Sequence, residues 1–375
     1  MNDRSGPAEP PGFEPPPYPY DRLDDLRKAA DRWPDGCVDL SIGAPCDPPP
    51  PVALEALARS GTAAWGYPPS VGTPELRQAA ARWLGRRFGA PVDAAHVAVC
   101  VGTKELVAGI PHWLRLRTPG RDTVLYPEIS YPTYAMGATL AGCRAVPYAS
   151  VEAIDPDDAG RALCLWVNSP ANPSGELSDL PAAARWGRRH GVPVFSDECY
   201  IEFTWRGPGR TILAEGSEGV VALHSLSKRS NLAGLRLGFY AGDPALVRYL
   251  SEVRKHAGFM VPSPVQAAAA AAFDDDRHVD DQRQRYLRRL DVMIDALAGV
   301  GVAAQRPAGT FYLWIPAPGG DAWGLAHRLA AEGGLLVSPG DFYGPAGAGH
   351  VRVAVVQPDD RLELAASRLA GSSSR

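Results

Sequence analysis

Lys228 ends the tetrapeptide Ser225-Leu226-Ser227-Lys228 directly after an apolar run, and Asn231, Gly234, Arg236 and Gly238 follow it. A primary amine in that place can form an imine with an aldehyde and shuttle protons. The hydroxyls, turn amides and Arg236 guanidinium around it suit a phosphate group. Read alone, Lys228 is more simply a surface lysine. The pair Asp197-Glu198, between Ser196 and Cys199-Tyr200, stands at a strand end. One of these acids, if buried, can keep a ring nitrogen protonated. Loop capping is the plainer reading, and a metal site lacks a nearby His or third carboxylate. Asn172 lies in Asn168-Ser169-Pro170-Ala171-Asn172-Pro173-Ser174-Gly175, which is either a turn or a rigid mount for an amide donor. Gly102-Thr103-Lys104 forms a strand-to-helix junction whose free amides can cup a phosphate. It lacks Walker spacing, and no G-x-S-x-G turn surrounds Ser225.

These residues need strand ends and helix starts to hold them. Apolar runs at 97–101, 123–126, 144–147, 162–167, 192–196, 220–225 and 238–241 read as strands. Amphipathic stretches at 75–88, 105–116, 134–140 and 180–190 read as helices between them. Strands separated by helices imply a mostly parallel sheet with crossovers. From 243 to 297 the pattern turns to long helices. Strands at 310–315, 335–337 and 350–355, with helices at 321–332 and 360–369, then suggest a smaller α+β unit. The opening up to Tyr20 is proline-rich and should be extended rather than helical.

The 375 residues suit a large domain with a smaller one. A net charge of -4, from 38 basic and 42 acidic residues, gives no reason to expect a nucleic-acid partner. Six scattered cysteines form no CxxC pair, which fits a reducing compartment. No stretch has the length and polarity of a signal peptide core or a membrane span, so a cytoplasmic protein is expected.

In this order, the four segments resemble fold-type I pyridoxal 5'-phosphate (PLP) enzymes, specifically the class I/II aminotransferase family, over residues 40–369. The resemblance implies an α/β fold with a large, mostly parallel sheet domain and a smaller α+β domain. It implies an N-terminal arm and the start of the small domain at 1–38, the PLP-binding domain at 39–260, and the interdomain helix with the C-terminal small domain at 261–375. Lys228 becomes the lysine that carries PLP as an imine, with Ser225 and Arg236 on its phosphate. Gly102, Thr103 and Lys104 fall on the phosphate turn. Asp197 matches the partner of the pyridine nitrogen, Tyr200 and Asn172 the contacts to the phenolate oxygen, and Tyr131 the stacking aromatic. Tyr67 resembles the tyrosine that reaches the neighbouring subunit's phosphate, which implies a homodimer. Arg352 matches the clamp on the substrate α-carboxylate, and Gly43 lies in the segment that covers substrate. Without the resemblance, Tyr67 and Tyr131 read as packing aromatics and Arg352 as an ion-pair residue. Arg254, Lys255 and His256 read either as a basic helix terminus or as a distal substrate contact.

Partners implied are a small-molecule amino donor and a 2-oxo acid acceptor. The segments 254–267 and 309–314 are similar to those of bacterial N-succinyldiaminopimelate aminotransferases. That implies transfer from N-succinyl-L,L-2,6-diaminopimelate to 2-oxoglutarate in lysine and diaminopimelate biosynthesis. A general amino-acid aminotransferase or a carbon–sulfur β-lyase would share the catalytic residues.

Overall fold

The computed structural model describes residues 12–61 and 65–372. The proline-rich opening is therefore seen only from Gly12; residues 12–18 carry no regular structure, and a 3-10 turn follows at Pro19–Leu23. The chain passes a short strand, β1 (Val38–Asp39), before building its main sheet. That sheet takes β2 (Val97–Cys100), β3 (Thr123–Pro127), β4 (Arg144–Tyr148), β5 (Ala162–Asn168), β6 (Val194–Asp197), β7 (Val220–Ser225) and β8 (Gly238–Gly242). Their order is β2-β8-β7-β6-β5-β3-β4. β4, β3, β5, β6 and β7 run parallel, and β8 is antiparallel to both β7 and β2.

Side chains alternate across the sheet with the period of two that a strand requires. Val97, Val99 and Leu165 pack into one buried layer, and Ala98, Cys100 and Trp166 into the layer on the other face. Helices cover both layers, so the central strands are buried throughout. Helix Pro74–Phe88 shows why they form where they do. Thr73 caps it by accepting from the Leu76 amide, Pro74 opens it, and left-handed Gly89 ends it. Its buried residues Leu76, Ala79, Ala80, Trp83 and Leu84 recur at helical spacing.

The smaller unit contains β9 (Tyr312–Pro316), β10 (Leu335–Leu336), β11 (Ser338–Pro339) and β12 (His350–Ala354). An antiparallel sheet orders β11-β12-β9, and β10 pairs in parallel with β1, tying the start of the chain to this unit. The helices Arg277–Gly299, Ala322–Gly333 and Asp359–Ser372 pack around a separate core. This is the arrangement expected from the sequence, a large domain on a mostly parallel sheet with a smaller α+β domain. Three details differ from the sequence reading. The strand expected from 310 starts at Tyr312, because Thr310 is left-handed with φ 70° and interrupts the extended run. The run expected at 335–337 gives only β10 at 335–336, and a separate strand, β11, follows at Ser338–Pro339. The helix expected from 105 starts at Thr103, which brings its first turn to Gly102. Among the described residues, no helix is long and apolar enough to cross a membrane.

Candidate active site

The carboxyl ends of parallel strands are where an open α/β sheet presents its loops to a ligand. Here Asn168 at the end of β5 pairs with Asp197 at the end of β6, and Ser225 ends β7 beside them. A cavity of about 290 Å³ opens above these ends. Of the sequence-expected residues, Lys228, Asp197, Tyr200, Asn172, Tyr131 and Ser225 line it. So do Thr103, Lys104, Arg236, Gly43 and Arg352.

Lys228 sits in the short helix Leu226–Arg229, which Ser225 caps by accepting from the Ser227 amide at 3.1 Å. Its Nζ donates to the Gly43 carbonyl. Burial, aided by the charges of Arg352 and Arg236, lowers its pKa from 10.5 to about 8. The amine is thus partly neutral, and nucleophilic, near physiological pH. Asp197 is 7% exposed and accepts from the Tyr134 hydroxyl at 2.9 Å and the Cys199 amide at 3.2 Å. Burial raises its pKa; the hydrogen bonds from Cys199 and Tyr134 and the charge of Lys228 oppose that rise.

Asn168 ties the two strand ends to the asparagine loop. Its amide donates to the Asp197 carbonyl at 2.8 Å, and its Oδ1 accepts from the Asn172 amide at 2.7 Å. Arg352 Nη1 donates to Asn172 Oδ1 at 2.7 Å, and Nη2 to the Ser41 carbonyl at 2.6 Å and Tyr20 Oη at 3.2 Å. Its Nε is buried without a partner, and its guanidinium lies 4.1 Å from the centre of the Tyr312 ring. A buried, incompletely satisfied guanidinium is suited to a carboxylate brought into the cavity.

Opposite Lys228, helix Thr103–Arg117 begins at Gly102, where no side chain caps the first amides. Gly102 has φ 73°, and a Cβ there would stand 2.3 Å from Arg236 Nη2. The positive φ favours glycine at 102, and the missing side chain leaves the guanidinium its place there. Free helix amides facing an arginine make an anion cradle.

Tyr67 lies apart from the rest: it is 97% exposed and touches no part of the cavity within one chain. Arg254 is not available to substrate, because it is buried in a two-pronged pair with Glu105 at 2.6 and 2.7 Å. Lys255 stays outside, 3.8 Å from Glu252. Tyr18, Tyr20 and Ser227 also line the cavity without having been singled out, and Tyr312, noted only as part of the segment 309–314, lines it too. Ser227 stood within the Ser-Leu-Ser-Lys motif, and Tyr134 within the Tyr-Pro-Thr-Tyr segment around Tyr131. Tyr20 carried no local signal.

Compared with known proteins, residues 35–369 match the family Aminotransferase class I and II. The chain belongs to this family. A 4-dedimethylamino-4-oxo-anhydrotetracycline transaminase, OxyQ of Streptomyces rimosus, is 44% identical over 94% of the chain and 99% of its own length. A probable aminotransferase of Mycobacterium tuberculosis is also 44% identical, over 94% of the chain and 85% of its own length. The solved structure of a probable N-succinyldiaminopimelate aminotransferase from Thermus thermophilus is 32% identical, with a TM-score of 0.82 over 94% and 99% of the two chains.

The aminotransferase therefore uses PLP, and the cavity fits that cofactor's chemical groups. The Lys228 amine, the Asp197 carboxyl, the Asn172 amide and the Tyr200 phenol line one space with Thr103 and Arg236 of the anion cradle, and these are groups that would suit the aldehyde, ring nitrogen, ring oxygen and phosphate of PLP. When bound, PLP supplies an electron sink for the bonds at an amino acid's α-carbon.

Proposed function

We propose that this aminotransferase moves the amino group of an α-amino acid to a 2-oxo acid. The observation that carries the reading is Arg352, buried at 2% exposure, with its Nη1 on Asn172 and its guanidinium on the same cavity as Lys228. Arg352 holds the α-carboxylate of donor or acceptor, which fixes the α-carbon near Lys228 Nζ. That amine takes the α-proton and gives it up again on the way to the oxo product. Asp197 would pair with the ring nitrogen of PLP. Asn172, whose Oδ1 is already used by Arg352, would offer its Nδ2 to the cofactor's phenolate oxygen, as would the Tyr200 hydroxyl. Tyr131 would stack on the ring. Ser225, Arg236, Gly102, Thr103 and Lys104 would hold the phosphate, and Gly43 would let the covering loop come close.

Tyr67 completes the phosphate site of a second copy, so the working unit is a homodimer; its near-complete exposure in one chain supports this. Light scattering coupled to assay should find no fully active monomer. The division into residues 1–38, 39–260 and 261–375 belongs to the same proposal.

N-succinyl-L,L-2,6-diaminopimelate, the donor expected from sequence, has the Thermus thermophilus relative in its favour. The two 44% identical relatives do not carry that name: one is named for a tetracycline ketone and the other for no substrate. The broader reading, a general amino-acid aminotransferase, is therefore the one we put forward. A donor screen with 2-oxoglutarate, following glutamate, tests it and includes the succinylated donor. Ammonia and pyruvate released without an acceptor would overturn it in favour of β-elimination.

A further inference from the structure

Tyr312 belongs to none of the roles above, yet it touches both ends of the chemistry. It is 1% exposed, and its hydroxyl lies 2.8 Å from that of Tyr200. Its ring carries the Arg352 guanidinium on its face at 4.1 Å. A Cβ on Gly43 would stand 1.9 Å from the Tyr312 hydroxyl, so the glycine of the covering loop is required by this tyrosine. The turn that delivers it is strained: Thr310, β-branched and fully buried, holds φ 70°. Three hydrogen bonds keep it there. Its amide donates to the Phe203 carbonyl at 2.8 Å, its carbonyl accepts from the Trp205 indole at 2.6 Å, and its hydroxyl oxygen accepts from the Tyr312 amide at 3.2 Å. Strain that the surroundings hold in place points to the residue it aims.

We propose that Tyr312 is a positioning residue that couples the carboxylate clamp Arg352 to the cofactor-facing hydroxyl of Tyr200. The inference rests on the roles given above to Tyr200 and Arg352. A phenol has one proton to donate. If Tyr200 donates its one hydrogen bond to the phenolate oxygen, its own oxygen is left to accept, and the Tyr312 hydroxyl at 2.8 Å is in reach to supply that bond. The Arg352 charge against the Tyr312 ring favours release of the Tyr312 proton and makes it the better donor. Chained donation strengthens each bond in the chain, so Tyr200 donates more strongly with Tyr312 behind it. Binding of a substrate carboxylate to Arg352 would reach the cofactor oxygen by the same route.

The test is a pH titration of the visible absorbance of PLP-loaded enzyme. A donor to the phenolate oxygen stabilises its anion, so weakening that donor moves the midpoint upward. Tyr200→Phe should raise the midpoint by about one unit and Tyr312→Phe by roughly half a unit or more in the same direction. The double variant should go no further than Tyr200→Phe alone, because Tyr312 acts through Tyr200. Tyr312→Phe keeps the ring under Arg352 and should leave the KM for donor near that of the parent. Tyr312→Leu removes the ring and should raise KM several-fold, about 3–10 times.

A midpoint unmoved by Tyr312→Phe, with Tyr200→Phe shifted, overturns the coupling. So does a full additive shift in the double variant. An unmoved midpoint in Tyr200→Phe instead overturns the role given to Tyr200. Should Tyr312→Phe not fold, a ring-fluorinated tyrosine at 312 keeps the shape and donates more strongly. It should lower the midpoint, and an unchanged midpoint there also overturns the proposal.

Discussion

Asn168, Asp197 and Ser225 stand on the ends of three neighbouring parallel strands, while Tyr20 and Gly43 come from the start of the chain and Tyr312 and Arg352 from its last quarter. The first group makes the floor of the cavity and the second its wall. The floor is fixed by a sheet buried on both faces, where every strand end is set by ladder hydrogen bonds. In the wall, Tyr312 and Arg352 sit on the paired strands β9 and β12, but the contacts that join its segments to one another and to the floor are side-chain ones: Arg352 on Asn172, Tyr20 on Tyr343 at 3.1 Å, and Asp47 on Arg289 at 2.6 and 2.7 Å. Within the floor the backbone ladder is continuous from strand to strand; between floor and wall the joints are side chains and a loop.

The largest effect should come from the floor. Lys228→Ala should abolish turnover with every donor, since the residue proposed as both nucleophile and proton carrier is lost. Normal turnover in that variant would remove Lys228 from the chemistry. The lowered pKa gives a second measurement on the parent chain freed of cofactor. The neutral form reacts with aldehydes, so the rate of aldehyde trapping at Lys228 should rise through pH 8 and then level off. A rate still climbing at pH 10 would mean that Lys228 is hydrated like an ordinary lysine.

Floor and wall also differ in how far the sequence reveals them. Residues of the floor sit inside short motifs, Ser-Leu-Ser-Lys and Ser-Asp-Glu-Cys-Tyr, that follow apolar runs; the strand end alone brings them to the sheet edge. Asp197 could be placed there from its neighbours, but its bond from Tyr134 could not, because helix Thr133–Leu140 meets β6 only through tertiary packing. The wall is hidden for the same reason in stronger form. Tyr20 reaches Arg352 across 332 positions, and Ser41 reaches it across 311. β1 is two residues long, too short for any periodicity, although its pairing with β10 ties the segment before Gly43 to the smaller unit. Burial of Arg254 against Glu105 could not be foreseen, since each residue alone reads as an exposed helix position.

A wall built from separable side chains should lose specificity before it loses chemistry. Arg352→Lys keeps a charge but cannot hold a carboxylate on two prongs. It should lower kcat/KM for α-amino acids by roughly 10–100-fold. An amine donor without an α-carboxylate should change far less, about threefold or under, because no bond to Arg352 is lost. An equal fall for both kinds of donor would place Arg352 among the residues that hold the floor together.

The smallest effect on turnover should come from Glu198, next to Asp197 but turned away from the cavity. Glu198 is fully buried, and its Oε2 lies 3.4 Å from Nε2 of buried His224. Its other oxygen accepts from the Ile212 amide at 2.7 Å. Burial raises Glu198 from 4.5 to about 7 and lowers His224 from 6.5 to about 3, so both are neutral near pH 5–6. A raised carboxyl pKa gives stability that is full below 4.5 and is lost as pH rises through 7. The lowered histidine pKa has the opposite sign: its contribution is full above 6.5 and is lost as pH falls through 3. Between 4.5 and 6.5 the two slopes oppose each other. Glu198→Gln removes only the first and keeps a neutral hydrogen-bonding group of the same size. Relative to the parent, the variant should therefore gain stability from pH 4.5 to 7, by an amount on the order of 1–3 kcal/mol. Urea unfolding of parent and variant at several pH values gives the difference directly, and the other titrating groups cancel in it. A difference independent of pH would mean that Glu198 is ionised throughout, and that the layer behind the floor carries charge as the cavity does.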